Sequence, residues 1–425
     1  MELNKAGIRE IVDGIRRKRF SARDVVAGCA ARIRLRDPLL QAWACWDAEA
    51  ALREADRNLA DLPLAGVPFG AKDVLDTAEL PTAMGSALYR GHQPRFDAGV
   101  VAQTRDAGGV LLGKTATCEF AGTQPAPTRN PLDPARSPGG SSSGSAAAVA
   151  DFMVPLAFGT QTGGSVLRPA AFCGVVGFKP TYGFYSIAGM KPAAHSFDTI
   201  GIIVRSVDDA AAVHEALMTI APGSIRASSR PPKIGIPKTH LDATVGDDAA
   251  HALASAIDAF KAAGAEPVEV EMPADFATIT RQRWIINAYE RARGLIGEWR
   301  ADAAGMGDKT AELFRDGIRV TGEDYVAARS AVERFRTEVE KACGACDVLL
   351  SATAPDIAPV GLEKTGDPRL QELWTMLHMP SIGLPAPVQG LPIGLQFIAP
   401  RFEDVALLST ALWAEAVLRG SRHGR

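Results

Sequence analysis

Three short stretches bring lysine, serine and glycine together in patterns that invite nucleophilic or phosphate chemistry. They are GVPFGAKD ending on Lys72 and Asp73, PGGSSSGS around Ser141, and GTQTGGSVLRPAA around Ser165. Three formal motifs compete with them. Gly108, Gly113, Lys114 and Thr115 match the phosphate-cradling pattern G-x-x-x-x-G-K-[ST]. The residues between, Gly109-Val110-Leu111-Leu112, read as a buried strand, so their N–H groups are committed to a sheet and no nucleotide site is expected. Gly140, Ser142 and Gly144 match G-x-S-x-G. A nucleophile elbow needs a strand directly before it, and the prolines of TRNPLDPARSP forbid a central one. His195 lies downstream, but nothing in its local sequence marks it as a base, and it reads as an ordinary hydrogen-bonded histidine. Lys364-Thr365-Gly366 matches the K-T-G of penicillin-recognising enzymes, which also require S-x-x-K, and no serine here has lysine three residues on.

Taken singly, the three stretches are Gly-rich turns with solvated hydroxyls. Taken together, in this order, they resemble the amidase signature family: a lysine after an apolar G-V-P stretch, a Gly-Gly-Ser-Ser loop before an Ala-rich helix, then Gly-Gly-Ser. The resemblance is strong from about residue 60 to 215 and resumes at GLPIGLQ (390–396). Within the family, the GTQTGGSV-x-RPAA form looks most like malonamidase-type members. The resemblance implies an amidase fold, α/β with a mixed central sheet covered by helices on both faces. It also implies a Ser-cisSer-Lys triad, with Ser165 as nucleophile, Ser141 as the bridging serine on a cis peptide bond, and Lys72 as base. A serine hydroxyl is a weak nucleophile and needs a partner to take its proton. A lysine can do so only when neutral, and burial lowers its pKa from an ordinary value of ~10.4. Val67, Pro68, Phe69, Gly70 and Ala71 before Lys72 are a setting that excludes water. Thr162, Gly163, Gly164 and Ser165 would supply backbone N–H groups to an oxyanion.

Arg168 is the informative specificity residue. Many relatives carry arginine one place earlier, where Leu167 stands here, and a neutral residue at position 168. The change should turn a guanidinium into the acyl pocket, where it would hold a substrate carboxylate by two hydrogen bonds. The bland alternative is a salt bridge to Asp or Glu. Gln161 stands where most relatives have Asp; it can hydrogen-bond the loop but carries no charge. The resemblance thus implies hydrolysis of a small carboxylated amide such as malonamate, through an acyl-enzyme, releasing ammonia. Alternatives are a hydrolase of carboxylated urea derivatives (biuret- or allophanate-type) and an amidotransferase A-type subunit, which would need partner subunits and pass ammonia to an aminoacyl-tRNA. A homodimer is expected from similar proteins.

The 425 residues are 47% hydrophobic and 22% charged, with a net charge of -3, which argues against a nucleic-acid binder held by bulk basic charge. Six cysteines make no disulfide framework, and Cys343-x-x-Cys346 has no second pair near it and reads as structural. The seven histidines form no ligand cluster, so neither a metal nor another cofactor is expected. The N-terminus lacks the apolar region of a signal peptide, and Ala146–Phe158 is too short to span a bilayer, so a cytoplasmic protein away from membranes is expected.

The elements that must position these residues alternate between helix and short buried strand, the pattern of an α/β core. Residues 1–60 read as N-terminal helices, with Ser21 an N-cap answered by Asp24 and a third helix over Ala50–Leu62. Residues 61–215 form the amidase signature core: strand Val110–Leu112, an irregular serine loop, a helix over Ala146–Met153, and short strands divided by a Gly-rich turn over 154–180. The 225–350 segment carries strands KIGIPK and PVEVEMP, a helix over Asp247–Ala263 and long helices whose aromatics suggest one wall of the pocket. Residues 351–425 return strands and a last helix, Asp404–Leu418, to the core. No linker divides the chain, so a single domain over 1–425 is expected.

Overall fold

The computed structural model describes residues 2–422. Eleven strands form one mixed sheet. In chain order they are β1 Trp43–Trp46, β2 Pro68–Lys72, β3 Val110–Thr115, β4 Leu156–Gln161, β5 Val176–Lys179, β6 Thr199–Val204, β7 Lys233–Lys238, β8 Glu266–Glu271, β9 Val348–Ala352, β10 Ser381–Pro385 and β11 Gly394–Ile398. Their order across the sheet is β1-β3-β2-β4-β6-β5-β10-β11-β9-β7-β8. β2 runs parallel to β3 and β4, and β7 runs parallel to β8 and β9; the remaining pairs are antiparallel.

Every residue of β2, β3, β4, β5, β6 and β11 is buried. Side chains of a strand alternate between faces, so both faces of the central sheet are covered. This explains why those strands read as continuous apolar runs. β8, at the sheet edge, is exposed at Glu266, Glu269 and Glu271. One connected set of buried apolar side chains runs from Ala6 to Leu418 and joins all four regions read from the sequence.

The Ser21 expectation holds in detail. Its hydroxyl accepts the Asp24 N–H, and the Asp24 carboxylate accepts the Ser21 N–H, closing a capping box on the Ala22–Leu40 helix. Other expectations need correction. Residues 1–60 are not all helical, because β1 pairs antiparallel with β3 around a register shift. The third helix spans Ala48–Ala55, with Asp47 as its cap. The Ala-rich helix begins at the serines, Ser143–Ala150. The 154–180 stretch is not strands alone: Leu167–Cys173 is a helix. Pro169 is tolerated there because a first-turn N–H needs no helical partner, and Gly174, at φ 71°, ends it in the left-handed conformation. A further helix, Arg369–Met376, lies between β9 and β10, and the last helix runs over Asp404–Arg422.

Candidate active site

Parallel strands place their carboxyl ends on the same edge of a sheet, where sites on such sheets form. β2 ends on Lys72, and β4 ends on Gln161 and runs directly into Thr162–Ser165. Ala71 pairs with Phe158, which puts Lys72 opposite Gly159 and next to Thr160. Lys72 is fully buried, and its Nζ lies 2.8 Å from Ser141 Oγ, 2.8 Å from Thr160 Oγ1 and 3.4 Å from the Thr160 carbonyl. Burial lowers its pKa to about 7. Cys118 and Asp198 oppose that shift through their charges, while Arg291 and Arg168 reinforce it. Lys72 Nζ donates to Ser141 Oγ and Thr160 here, and a neutral amine has a lone pair that could accept the Ser141 proton instead.

The serine loop is stitched down so that one hydroxyl is left for Lys72. Ser142 Oγ donates to the Thr160 carbonyl and accepts the Thr160 N–H. Ser143 Oγ donates to the Gly139 carbonyl, and Ser145 Oγ donates to the Phe158 carbonyl. Ser142 is therefore a brace on β4, not the nucleophile of an elbow. Ser141 alone reaches the lysine, and the Gly140–Ser141 peptide bond is cis. Gly144 permits the close seating of the following helix, since a Cβ there would sit 2.1 Å from the Ala42 carbonyl oxygen.

Ser165 lies across from this loop and is partly exposed. Its carbonyl accepts the Ser142 N–H at 3.3 Å, which ties the two loops together. Its hydroxyl makes no hydrogen bond among the described residues, so the Ser141-to-Ser165 step is not made as a hydrogen bond in this structure. One side-chain torsion sets the direction of that hydroxyl. The N–H groups of Thr162, Gly163, Gly164 and Ser165 likewise take no acceptor among the described residues. They are free donors beside a free hydroxyl, the arrangement an oxyanion requires.

The turn is held from outside. The Gln161 carboxamide oxygen accepts the N–H groups of Val166 and Leu167, and its nitrogen donates to Thr375 Oγ1. Thr375 donates in turn to the Gly163 carbonyl at 2.7 Å. Thr162 Oγ1 donates to Asp198, which also accepts the N–H groups of Ala193 and Ala194. Burial raises the Asp198 pKa to about 6. Sequence reasoning missed Thr160, Asp198 and Thr375. Thr160 lies inside the GTQTGGS stretch and was the most accessible of the three; the others come from distant segments.

Arg168 is 5% exposed. Its Nη2 donates to the Gly140 carbonyl at 2.6 Å and to Thr365 Oγ1 at 3.3 Å, while Nε and Nη1 are buried without a partner. No carboxylate lies within ion-pairing distance of it among the described residues, so it does not form a structural salt bridge. The K-T-G segment thus reaches the site through Thr365, not through a lysine. His195 is largely exposed and faces Glu290. Lys114 sits inside β3 and pairs with Asp73 at 3.1 Å, so the phosphate-loop match is a strand. Cys343 and Cys346 are free thiols. Among the described residues, no cluster of three His, Cys, Asp or Glu side chains could hold a metal ion, and no helix is long and apolar enough to cross a membrane.

Trp299 and Phe314 of the 225–350 segment line a cavity with Ile296 and Ile318. Trp284 is 46% exposed, Trp299 stacks on Phe314, and Tyr289 stacks on Tyr325. Polar residues of the Ile279–Gly294 helix reach toward the site. Arg283 pairs with Glu372 at 2.8 Å against Gly163, and Arg291 donates to the Phe120 carbonyl.

A model of the amidase family matches residues 24–408. The chain belongs to the amidase signature family. The A-type subunit of the glutamyl-tRNA(Gln) amidotransferase of Anaeromyxobacter sp. (strain K) is 32% identical over 472 aligned positions, covering 96% of each chain. A crystal structure of an amidase superposes with a TM-score of 0.89 at 30% identity, covering 97% of this chain and 100% of that one. The peptide amidase of Stenotrophomonas maltophilia superposes with a TM-score of 0.82 at 28% identity, covering 98% and 97%. The chain is thus an amidase-family enzyme acting on amide C–N bonds. The finer resemblance to malonamidase-type members rests on the GTQTGGSV-x-RPAA motif, whereas the Anaeromyxobacter relative belongs to an amidotransferase.

Proposed function

We propose that this enzyme cleaves its amide through Ser165, Ser141 and Lys72. The observation that carries the reading is the fully buried Lys72 amine 2.8 Å from Ser141, on a loop tied to that of Ser165. Ser165 Oγ forms the bond to the carbonyl carbon while its proton passes to Ser141, whose own proton passes to Lys72. The tetrahedral oxyanion takes N–H groups of Thr162–Ser165. Collapse breaks the C–N bond, and the nitrogen leaves with the proton returned from Lys72 through Ser141. Water, deprotonated by the same relay, releases the acid from Ser165.

Two readings of the substrate each have support. The relatives favour an amidotransferase A-type subunit, in which the released ammonia would go to an acceptor held by partner subunits. The unpartnered Nε and Nη1 of Arg168 favour a stand-alone hydrolase of a small carboxylated amide, malonamate-like or a carboxylated urea derivative.

Ammonia release by the isolated chain separates the readings. Turnover of malonamate or a carboxylated urea without any partner, abolished in Ser165→Ala and in Lys72→Ala, is the expected result. Copurification of partner subunits, with amide turnover only in their presence, would overturn stand-alone hydrolysis in favour of the amidotransferase. Full activity in both variants would overturn the relay itself.

A further inference from the structure

The Ile279–Gly294 helix carries Arg283, Asn287 and Arg291 at successive intervals of four residues, hence on one face. Each presents a buried polar atom with no hydrogen-bond partner: Arg283 Nε, Asn287 Oδ1 and Arg291 Nε. Buried polar atoms are rarely left unpaired, so two guanidinium donors and one amide acceptor on one face of one helix call for a ligand. The face looks onto the site at both ends. A Cβ at Gly163 would lie 3.1 Å from Arg283 Nη2, and Arg291 Nη1 donates to the Phe120 carbonyl at 3.1 Å. Phe120 follows Cys118, whose N–H donates to the Ser141 carbonyl.

The three residues are not equivalent. Glu372 neutralises Arg283. Arg291 and Asn287 are 5% and 6% exposed, and no carboxylate lies within ion-pairing distance of Arg291 among the described residues. Asp198 acts on Arg291 only across a longer gap and is already occupied by Thr162, Ala193 and Ala194. Arg291 is therefore a second guanidinium with spare donor capacity, separate from Arg168, and both act on the charge of Lys72.

We infer that Arg291 is a second recognition subsite that takes an anionic oxygen group at the end of the substrate opposite the group held by Arg168. The preferred substrate is then an amide acidic at both ends, taken ahead of a singly carboxylated amide such as malonamate. This rests on the reading of Arg168 as a carboxylate anchor. Arg291 is the specificity-determining residue; the bond-making groups are unchanged.

The test is calorimetric binding of unreactive acids to the wild-type chain. Dicarboxylates from malonate to adipate are compared with monocarboxylates of the same length. One dicarboxylate length is expected to bind at least ~10-fold more tightly than its monocarboxylate, by the addition of a charge-assisted pair. Arg291→Met should erase that gain and leave monocarboxylate binding unchanged. Arg291→Lys keeps a donor for the Phe120 carbonyl but has no Nε, and should also reduce the gain if the methionine variant fails to fold. Arg168→Met should weaken both acids together. Loss on Arg168→Met with no change of the dicarboxylate gain in either Arg291 variant would overturn the second subsite alone. No carboxylate binding, or binding indifferent to Arg168, would overturn the anchor and the second subsite with it.

Discussion

Gln161 Nε2 lies 2.9 Å from Thr375 Oγ1, joining the end of β4 to a helix 214 residues further along the chain. The contact explains how a glutamine serves where most family members are read as carrying aspartate. Its oxygen accepts the N–H groups of Val166 and Leu167, and its nitrogen, which a carboxylate lacks, needs the Thr375 hydroxyl as acceptor. That hydroxyl donates a hydrogen bond to the Gly163 carbonyl, fixing one peptide of the Thr162–Ser165 turn. The two residues act as one device.

Thr375→Val should therefore lower kcat by ~10- to 100-fold, because small misplacements of reacting groups carry costs of that order. KM should change little, and Thr375→Ser should restore most of the rate. Gln161→Glu should be damaging alone, since its carboxylate cannot donate to Thr375. Steady-state kinetics of the three variants checks the argument; an unaltered kcat in Thr375→Val would remove it.

The pH profile should report Lys72. With a folded pKa of about 7 set by burial, the amine is charged below that value and neutral above it. The rate of acyl-enzyme formation should rise as pH increases through about 7 and level off above, a base-limb dependence. The same group predicts the direction of a stability effect. Its folded pKa lies below the unfolded value, so the unfolded chain binds more protons between the two and stability rises with pH across that window. Lys72→Met should abolish turnover by at least ~10³-fold and raise Tm relative to wild type more at pH 6 than at pH 9. Calorimetry at the two pH values checks the sign. Referring both to wild type cancels the similar contribution of Lys179, another buried lysine with a pKa lowered to about 7.

Arg168 should govern selectivity. Replacing it with methionine removes two unpartnered donors and the bonds to the Gly140 carbonyl and Thr365 Oγ1. At ~1.5–3 kcal/mol for a hydrogen bond to a charged group, kcat/KM for a carboxylated amide should fall at least ~100-fold. A neutral amide should lose much less, only what the bonds to Gly140 and Thr365 contribute. Competition kinetics between the two amides is the measurement, and an equal loss for both would reduce Arg168 to a brace of the serine loop.

The parts of this site that were legible in the sequence are those lying in short Gly- and Ser-rich segments. Lys72, Ser141 and Ser165 stand out because their neighbours are conformationally unusual, and family resemblance then supplies roles. Strand β7 and the helix beginning at Asp247 followed from apolar periodicity and acidic first-turn residues. β1 was not legible, because four residues pairing across a register shift leave no periodic signal. The Leu167–Cys173 helix was hidden by the glycines before it and by Pro169 within it. Thr375, Asp198 and Arg291 were beyond reach for a different reason: only tertiary contact brings Thr375 and Asp198 to the turn and Arg291 to the Phe120 carbonyl. One trace of the last was available. RQRWIINAYERA sets Arg283, Asn287 and Arg291 at helical spacing among residues that bury Ile285, Ile286 and Ala288, so a polar stripe shares a buried helix.

The two glycines of the oxyanion turn make the most direct prediction about space. A Cβ on Gly164 would sit 2.2 Å from Gln371 Oε1 and 2.8 Å from Gln371 Cδ. A Cβ on Gly163 would sit 2.9 Å from Glu372 Oε1 and 3.1 Å from Arg283 Nη2. Gln371 also donates to the Thr353 carbonyl, so its retreat breaks a buried bond, whereas the Arg283–Glu372 pair can shift by tenths of an ångström. Gly164→Ala should accordingly cost ~1–3 kcal/mol of stability by overpacking and remove most activity, while Gly163→Ala should fold nearly as well as wild type. Both substitutions leave Ser165, Ser141 and Lys72 in place. Covalent labelling of Ser165 by a serine-directed phosphonate should therefore persist in Gly163→Ala and slow sharply in Gly164→Ala. Equal stability and equal labelling of the two variants would mean that the Arg369–Met376 helix does not press on the turn.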